Sequence, residues 1–359
     1  IDLMKNNTSR LASIDLLKAI SAQLIVLHHL SFYGPMSDIA YELSPRLIDW
    51  LFGQARLAVQ VFLVAGGFLA ARNLASRASP VVGRPHRLIW RRYRRLAIPL
   101  WAALALAVAC AACARSIYPQ ASDPAAPEML QFLAHLVLLQ DVLGFDALSA
   151  GVWFVAIDFQ LYALMVGLLW FSGIMGAAAH RLVSVVLVSG LALVSLLYFN
   201  RIPAWDAWAV YFFGAYAMGA LAFWASEGRH PAAWLGLMTA VAIAALMLDF
   251  RSRIVVALFA AVLLGLTFRP RQQLPSRLAQ PLAYLGDISY SVFLVHYPVC
   301  LVVNAAFGRA FPAAPAANAL GMLLAWCLSL LAGALFHRYV EKPAGIWLGR
   351  RNMPAAVPR

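Results

Sequence analysis

The chain has 359 residues, of which 63% are hydrophobic and only 12% are charged, about half the charged fraction of a typical soluble domain. Apolar stretches near the length needed to cross a bilayer recur along almost the whole chain, which excludes a soluble globule and predicts a polytopic membrane protein. The 28 lysines and arginines against 15 acidic residues give a net charge of +13. In a membrane protein such an excess belongs mainly to cytoplasmic loops and does not indicate nucleic-acid binding.

Ten segments are predicted to be membrane-spanning helices, because each is a mainly apolar run close to the length that a bilayer requires. In chain order they are residues 14–33, 55–74, 96–114, 152–171, 182–199, 207–225, 232–248, 254–268, 288–306 and 317–339. The sequence therefore predicts an all-α membrane helix bundle that forms one domain over residues 1–359. We expect no appended soluble domain, because the tail beyond the tenth span is too short to be one.

The distribution of arginine predicts the orientation of these spans. The loop 77–95 carries seven arginines, which is typical of the cytoplasmic side, as are the basic stretches 269–277 and 338–359. Counting spans from these loops places both termini in the cytoplasm and both ends of a shorter apolar segment, 129–145, on the outer side. That segment is therefore predicted to be a re-entrant or interfacial helix that does not cross.

The first predicted helix carries the leading candidates for chemistry, since ionisable groups inside a bilayer are costly and each is a functional candidate. Lys18 and His29 are eleven residues apart, roughly three helical turns, so they share a face about 16 Å apart along the axis. A long ligand entering from the cytoplasm could touch both. The alternative is an interfacial histidine bonded to a neighbour and a lysine that snorkels towards the headgroups. That structural role is favoured for His28, whereas for His29 the two roles are evenly balanced.

A second candidate lies in the segment 153–162, where Asp158 and Gln160 interrupt an otherwise apolar helix. A buried carboxylate needs a partner, and Asp158 could orient a histidine base and stabilise the imidazolium that forms when the base takes a proton. The alternative is an interhelical polar pair that only holds the bundle together.

The segment 91–95, which contains four arginines, is at minimum a signal for the cytoplasmic side. Arginine also binds phosphate through bidentate hydrogen bonds, so Arg92 and Arg95 are candidates for docking a phosphorylated cytoplasmic ligand.

The ninth predicted helix opens at Asp287, which is expected to be its N-cap. His296 lies further along this helix, beside Pro298. It either lines a cavity or is a core histidine with satisfied hydrogen bonds, and the second role is slightly favoured. No spacing of histidine, cysteine and acidic residues resembles a metal site.

Taken in order, these motifs resemble the acyltransferase-3 family of integral membrane acyltransferases over nearly the full chain. The family has an arginine eleven residues before an essential histidine in its first helix; here Lys18 stands before His29. Asp158 occupies a position where glutamate is commoner in the family. The other matching segments are 56–69, which resembles the second helix, 91–99, the arginine-rich motif, 153–162, the tryptophan-to-tyrosine motif, and 288–298 with 339–343.

The resemblance implies transfer of an acyl group, usually acetyl from cytoplasmic acetyl-CoA, to a hydroxyl of a carbohydrate or glycolipid on the outer side. It makes His29 the general base and Asp158 a second catalytic residue, with either direct transfer or an acyl-histidine intermediate. The residues assigned to acyl-CoA are Lys18, Arg92 and Arg95. The residues assigned to the acceptor are Arg56, Trp153, Gln160, Tyr162 and His296.

The partners expected from this interpretation are acyl-CoA, the acceptor and the lipid bilayer, with no metal and no nucleic acid, in a bacterial inner membrane. The rival interpretation is a transporter or flippase for a glycan or lipid-linked substrate, since about ten spans with intramembrane charges also suit translocation. The lack of an evident inverted repeat in the sequence counts against the rival.

Overall fold

The computed structural model describes residues 12–75, 84–120, 123–176, 179–268 and 276–350, and within these ranges every regular element is helical. The helices are α1 Ala12–Phe32, α2 Met36–Ala40, α3 Pro45–Gly53, α4 Val59–Ala75, α5 Pro85–Ile117, α6 Met129–Leu136, α7 Val152–Ile174, α8 His180–Leu197, α9 Ala209–Ser226, α10 Pro231–Leu248, α11 Ser252–Thr267, α12 Ser276–Ala310, α13 Pro315–Phe336 and α14 Lys342–Arg350. Short 3₁₀ turns at Tyr41–Leu43, Ala55–Ala58, Phe199–Arg201 and Pro203–Trp205 and a π turn at His337–Glu341 complete the helical elements.

Eight helical stretches of the described chain are long and apolar enough to cross a membrane, and a bent pair, Ser13–Phe32 with Met36–Leu43, makes up to nine. The eight are Pro45–Leu74, Pro85–Ile117, Val152–Ile174, His180–Arg201, Ala209–Ser226, Pro231–Leu248, Gln280–Ala310 and Pro315–Leu348. The eighth predicted span, 254–268, corresponds to the shorter apolar helix Ser252–Thr267. The predicted all-α polytopic membrane bundle is thereby confirmed.

Two helices extend well beyond their predicted starts. Helix α5 begins at Pro85, so the arginines of 91–95, which were predicted in a loop, are helical. Helix α12 begins at Ser276, so Asp287 lies inside the helix and the prediction that it is an N-cap is wrong. Both predicted helices began at the first residue of the apolar run. Arginine and other straight-chain residues also favour a helix, so each helix begins several residues before that run.

The segment 129–145 forms only the eight-residue helix α6, about 12 Å long and too short to cross hydrocarbon. His135 at its end is fully buried. Its Nδ1 donates to the Gln131 carbonyl at 2.8 Å and its Nε2 accepts from the Leu148 amide at 3.1 Å. Burial lowers the pKa of His135 below its ordinary value, so the neutral ring is the form that makes both bonds. The returning chain is thus fixed against the short helix, in agreement with a segment that does not cross.

The described residues divide into two compact units. The first takes those of Ile1–Gln23, Leu57–Pro85 and Gln160–Ser289, and the second takes those of Leu24–Arg56, His86–Phe159 and Tyr290–Arg359. Three of the five boundaries fall inside the continuous helices α1, α7 and α12. The expectation of one domain over residues 1–359 stays a prediction.

In the first unit, α4 and α9 are in contact through their backbones. A Cβ atom at Gly67 would lie 1.8 Å from the Tyr216 carbonyl oxygen, and one at Gly219 would lie 1.9 Å from that of Val64. Only glycine permits this approach, which small residues commonly provide between membrane helices. The close contact fixes α9 as the central, most buried helix of this unit.

The first unit also has a buried arginine outside its spanning segments. Arg251 donates from Nη1 to the Leu196 carbonyl at 2.9 Å and to Asn200 Oδ1 at 2.8 Å, and its Nε lies 3.4 Å from Asp249 Oδ2. Burial lowers the pKa of this guanidinium from its ordinary value, yet arginine stays charged. The bonds fasten the end of α8 to the start of α11.

The second unit packs small residues of α5 against large residues of α12. Ala111 and Ala114 belong to one buried cluster with Tyr297, Leu301 and Ala305. Alanine on one helix leaves room for aromatic and aliphatic side chains on the other, which gives dense packing without voids. This packing supports the part of α12 that carries His296.

Candidate functional site

The candidate site lies in the second unit and is centred on two histidines. His29, near the end of α1, has its Nδ1 2.7 Å from Nε2 of His296 on α12. The ring centroids are 4.9 Å apart and the ring planes differ by 14°. His296 is fully buried, whereas His29 is partly accessible. The pair therefore has an inner member held by the protein and an outer member that a ligand can reach.

The hydrogen bonds fix which nitrogen of each ring carries the proton. Nδ1 of His296 lies 3.1 Å from the Val292 carbonyl oxygen, and because a carbonyl only accepts, this nitrogen carries hydrogen and Nε2 accepts. His29 must then donate from Nδ1 to His296. In neutral His29 the lone pair is consequently on Nε2, and among the described residues no hydrogen bond uses that nitrogen. The arrangement presents an oriented base.

His28, the neighbour of His29, has a different environment. Its Nδ1 donates to the Leu51 carbonyl at 3.2 Å, and its ring lies 5.7 Å from that of Phe32. It is buried. These contacts match the structural role favoured for His28.

Aromatic rings connect the histidine pair to the start of α7. Trp153 lies edge-to-face with Phe154 at 6.0 Å, Phe154 meets Phe293 at 5.4 Å, and Phe293 lies 6.1 Å from His296. A Cβ atom at Gly151 would lie 2.7 Å from Phe293, so the beginning of α7 approaches α12 closely. Trp153 thus lies in the same unit as the pair, two rings away from His296.

Asp158 has a partner other than the predicted histidine. Its Oδ2 accepts from Arg92 Nη2 at 2.5 Å, and the two side chains are 12% and 30% exposed. The longer α5 places Arg92 beside α7, and a buried carboxylate is best satisfied by a charged donor. The structure therefore shows the interhelical polar pair that the sequence left open as the alternative for Asp158. The roles of Asp158 in catalysis and of Arg92 in binding the donor stay predictions.

Further polar groups lie in the segments 288–298 and 339–343, which matched the family but received no individual role from the sequence. Tyr290 donates to the Leu96 carbonyl at 3.0 Å and interacts electrostatically with Asp158 and Arg92. Ser291 donates to Glu341 Oε2 at 2.6 Å. An acidic residue just beyond the last apolar run was the available signal for Glu341.

The exposed arginines of α5 form a stripe. Arg87, Arg91 and Arg95 are all exposed, and their four-residue spacing places them on one helix face over about 12 Å. We call these three residues the arginine stripe. Arg95 is one of the two arginines that the sequence suggested for a phosphorylated ligand, while Arg87 and Arg91 lie on the same helix face only because the helix extends to Pro85. Three like charges on one face create a strongly positive surface.

Three of the predicted site residues, Lys18, Gln160 and Tyr162, belong to the first unit, where Lys18 and Tyr162 are partly buried. The amide of Gln160 donates to the Ala207 carbonyl at 3.2 Å and accepts from the Ala209 amide at 2.9 Å. Gln160 therefore fixes the start of α9.

Arg56, assigned to the acceptor, is exposed in the second unit. Its Nε donates to the Gly53 carbonyl at 3.2 Å. In the part of the chain that the structure describes, no cluster of three or more histidine, cysteine or acidic residues is placed to hold a metal ion.

Comparison with known proteins gives one finding of similarity. A family model described as an acyltransferase domain matches residues 11–338. No curated protein and no solved structure matches the chain.

Proposed function

The chain belongs to the acyltransferase-3 family and is a membrane acyltransferase; from this premise we propose that it transfers an acetyl group from acetyl-CoA to a hydroxyl of an extracytoplasmic carbohydrate or glycolipid. The observation that carries the proposal is the hydrogen bond between His29 and His296, which leaves the lone pair of His29 Nε2 for a ligand.

In the proposed reaction the oxygen of the acceptor hydroxyl attacks the thioester carbonyl of acetyl-CoA. At the same time His29 Nε2 accepts the proton of that hydroxyl. The C–O bond forms, the C–S bond breaks, and the protonated His29 returns its proton to the departing CoA sulfur. His296 holds the ring of His29 in the basic tautomer throughout. A positioned base of this kind typically contributes 10²–10⁴-fold to a rate.

The donor is proposed to bind through its phosphates at the arginine stripe. Arg95 supplies one charge as the sequence suggested, and Arg87 and Arg91 add two on the same face. Guanidinium groups suit phosphate because they donate two hydrogen bonds in a fixed geometry. Arg92 is proposed to support this surface indirectly, because its ion pair with Asp158 joins α5 to α7. Lys18 remains a proposed contact of the donor.

The acceptor is proposed to approach from the outer side, with Trp153 as an aromatic surface for a sugar ring. Arg56, Tyr162 and Gln160 stay proposed acceptor contacts, although the two hydrogen bonds of Gln160 to backbone leave it the weakest of them. The basic N-terminal half of α5 favours a cytoplasmic location for that end. We place the protein in a bacterial inner membrane with both termini in the cytoplasm.

The proposal is tested with purified protein in nanodiscs that receives radiolabelled acetyl-CoA and a glycan and glycolipid extract of bacterial envelopes. We expect label to enter the extract in a form that mild alkali releases, because an ester of a hydroxyl is alkali-labile. A pure transporter or flippase would leave the extract unlabelled. Label that resists alkali would contradict transfer to a hydroxyl, and a folded protein that transfers no label would contradict the function.

A further inference from the structure

A cavity of about 350 Å³ lies in the first unit among helices α8, α9 and α10, and none of its described lining residues is a histidine. All three helices are long and apolar enough to span a membrane. Its volume is within the range of sites that hold small ligands. We call this cavity the α8–α10 groove.

The groove is built from one face of each helix. On α8 its lining residues include Arg181, Val185, Ser189, Ala192 and Leu196. Their spacing of three or four residues places them in one line along the helix. A line of small and medium side chains on α8 thus forms a channel wall that follows the helix axis.

The groove is open to its surroundings along α10. Trp234 and Leu237, which both line it, remain 54% and 56% exposed. An apolar, exposed lining on a membrane-spanning helix faces lipid hydrocarbon rather than water. The natural occupant is therefore an apolar chain that enters sideways from the bilayer.

The depth of the groove on α9 and α10 corresponds to one leaflet. The lining runs from Gly228, just beyond α9, to Met218 on α9, and from Trp234 to Val241 on α10. On α8 it continues from Arg181 to Leu196, about 22 Å. Val241 is ten residues from the first residue of α10, or about 15 Å. This is about half of the roughly 30 Å hydrocarbon thickness, so the groove on these two helices matches one chain of a lipid in a single leaflet.

Charge and aromatic residues mark one end of the groove as the headgroup end. Arg181 is the one charged residue among the described lining residues, and it lies in the first turn of α8. Trp224 and Trp234 line the same end, as expected of tryptophan at a membrane interface. No acidic residue is among the described lining residues, so Arg181 gives this end of the groove a positive charge.

We infer that the α8–α10 groove binds one acyl chain of an anionic phospholipid from the leaflet on the Arg181 side, with the lipid phosphate against Arg181. The apolar wall holds the chain, and the guanidinium favours a lipid with net negative charge over a zwitterionic one. One arginine near a membrane surface typically contributes enough to favour the anionic lipid about fivefold. This site is independent of the proposed acyl transfer.

The test uses a phosphatidylglycerol probe with a photoreactive diazirine at the end of one acyl chain, present in trace amounts in phosphatidylcholine nanodiscs that hold the full chain. After irradiation, adducts are mapped by mass spectrometry of peptides. We expect adducts on the α8 and α10 lining, and we expect unlabelled phosphatidylglycerol to displace the probe about fivefold better than added phosphatidylcholine. Equal displacement by the two lipids would overturn the inference, and so would adducts spread evenly over all spanning helices. Both outcomes are measured on the wild-type protein.

Two variants and their controls separate the headgroup from the chain. Arg181→Gln should abolish the preference for phosphatidylglycerol, whereas the control Arg229→Gln should keep it. Ser189→Trp should fill the groove and remove the adducts, whereas Leu182→Trp, on a side chain that is 70% exposed and does not line the groove, should keep them. An unchanged preference in Arg181→Gln refutes the headgroup contact, and unchanged adducts in Ser189→Trp refute the groove as the chain site.

Discussion

The second unit contains two polar pairs of opposite character. In the histidine pair, two neutral rings share one hydrogen bond, and a carbonyl behind them sets the proton positions, so one basic nitrogen is left over. In the Arg92–Asp158 pair, full charges satisfy each other at 2.5 Å. A charged pair in a low-dielectric setting is stabilising only while both members are present. The neutral pair of His29 and His296 is therefore suited to proton transfer, whereas the charged pair of Arg92 and Asp158 is suited to holding helices together.

The largest expected effect follows from removing the free base. His29→Ala should lower acyl transfer by about 10²–10⁴-fold, because the variant lacks the proposed proton acceptor, while CoA binding and thermal stability change little. The matched control is His28→Ala. The His28 ring donates to the backbone carbonyl of Leu51, so this variant should lose far less activity. Radiolabelled acetyl transfer measures both. Equal losses in the two variants would remove the distinction between the neighbouring histidines.

His296 is expected to act as a positioning residue. His296→Ala should lower turnover about 10–100-fold, in the range seen when a supporting hydrogen bond to a functional histidine is lost, with KM for acetyl-CoA unchanged. His296→Gln, which keeps an acceptor oxygen, should recover part of the loss. If His296→Gln is no better than alanine, or if KM rises with the loss of turnover, the ring packs the core and does not orient His29.

Breaking the charged pair should affect stability more than chemistry. Asp158→Asn leaves the guanidinium of Arg92 without its counter-ion and should cost about 1–2 kcal/mol, less than for a fully buried pair because Arg92 is partly exposed. Activity should fall less than in His29→Ala. Thermal unfolding in detergent measures the effect, and the double variant Arg92→Gln/Asp158→Asn should regain part of the stability. A loss of activity as large as that of His29→Ala, at unchanged stability, would instead make Asp158 a member of the catalytic machinery.

The smallest effect is expected at the arginine stripe. Replacing Arg91 and Arg95 by alanine should raise KM for acetyl-CoA about three- to tenfold with little change in turnover, because exposed charges contribute modestly and salt screens them. High salt should raise KM of the wild type towards that of the variant. The control is Arg72→Ala, which removes an arginine outside the stripe. An unchanged KM in the stripe variant would reduce these arginines to signals of orientation.

The spanning helices could be predicted from sequence, because hydrophobic length is a local property. The cost of an intramembrane histidine is also local, so the sequence could single out His29 as a candidate. The partner of His29 could not be predicted, since His296 lies 267 residues further along the chain and nothing local couples the two. The pairing of Asp158 with Arg92 was missed for a related reason. A hydropathy pattern shows which part of a helix is apolar but not where the helix begins. The sequence therefore predicted Arg92 in a loop, whereas it lies in α5 beside α7.

The most direct measurement is ¹⁵N NMR of protein labelled at histidine, in nanodiscs at neutral pH, with the His29→Gln variant used to assign the signals of His29. If His296 orients the base, the Nδ1 of His29 is protonated and its Nε2 has the shift of an unprotonated nitrogen, and this tautomer preference is lost in His296→Ala. A His29 signal with hydrogen on Nε2 and none on Nδ1 would contradict the assignment of His29 as the oriented base.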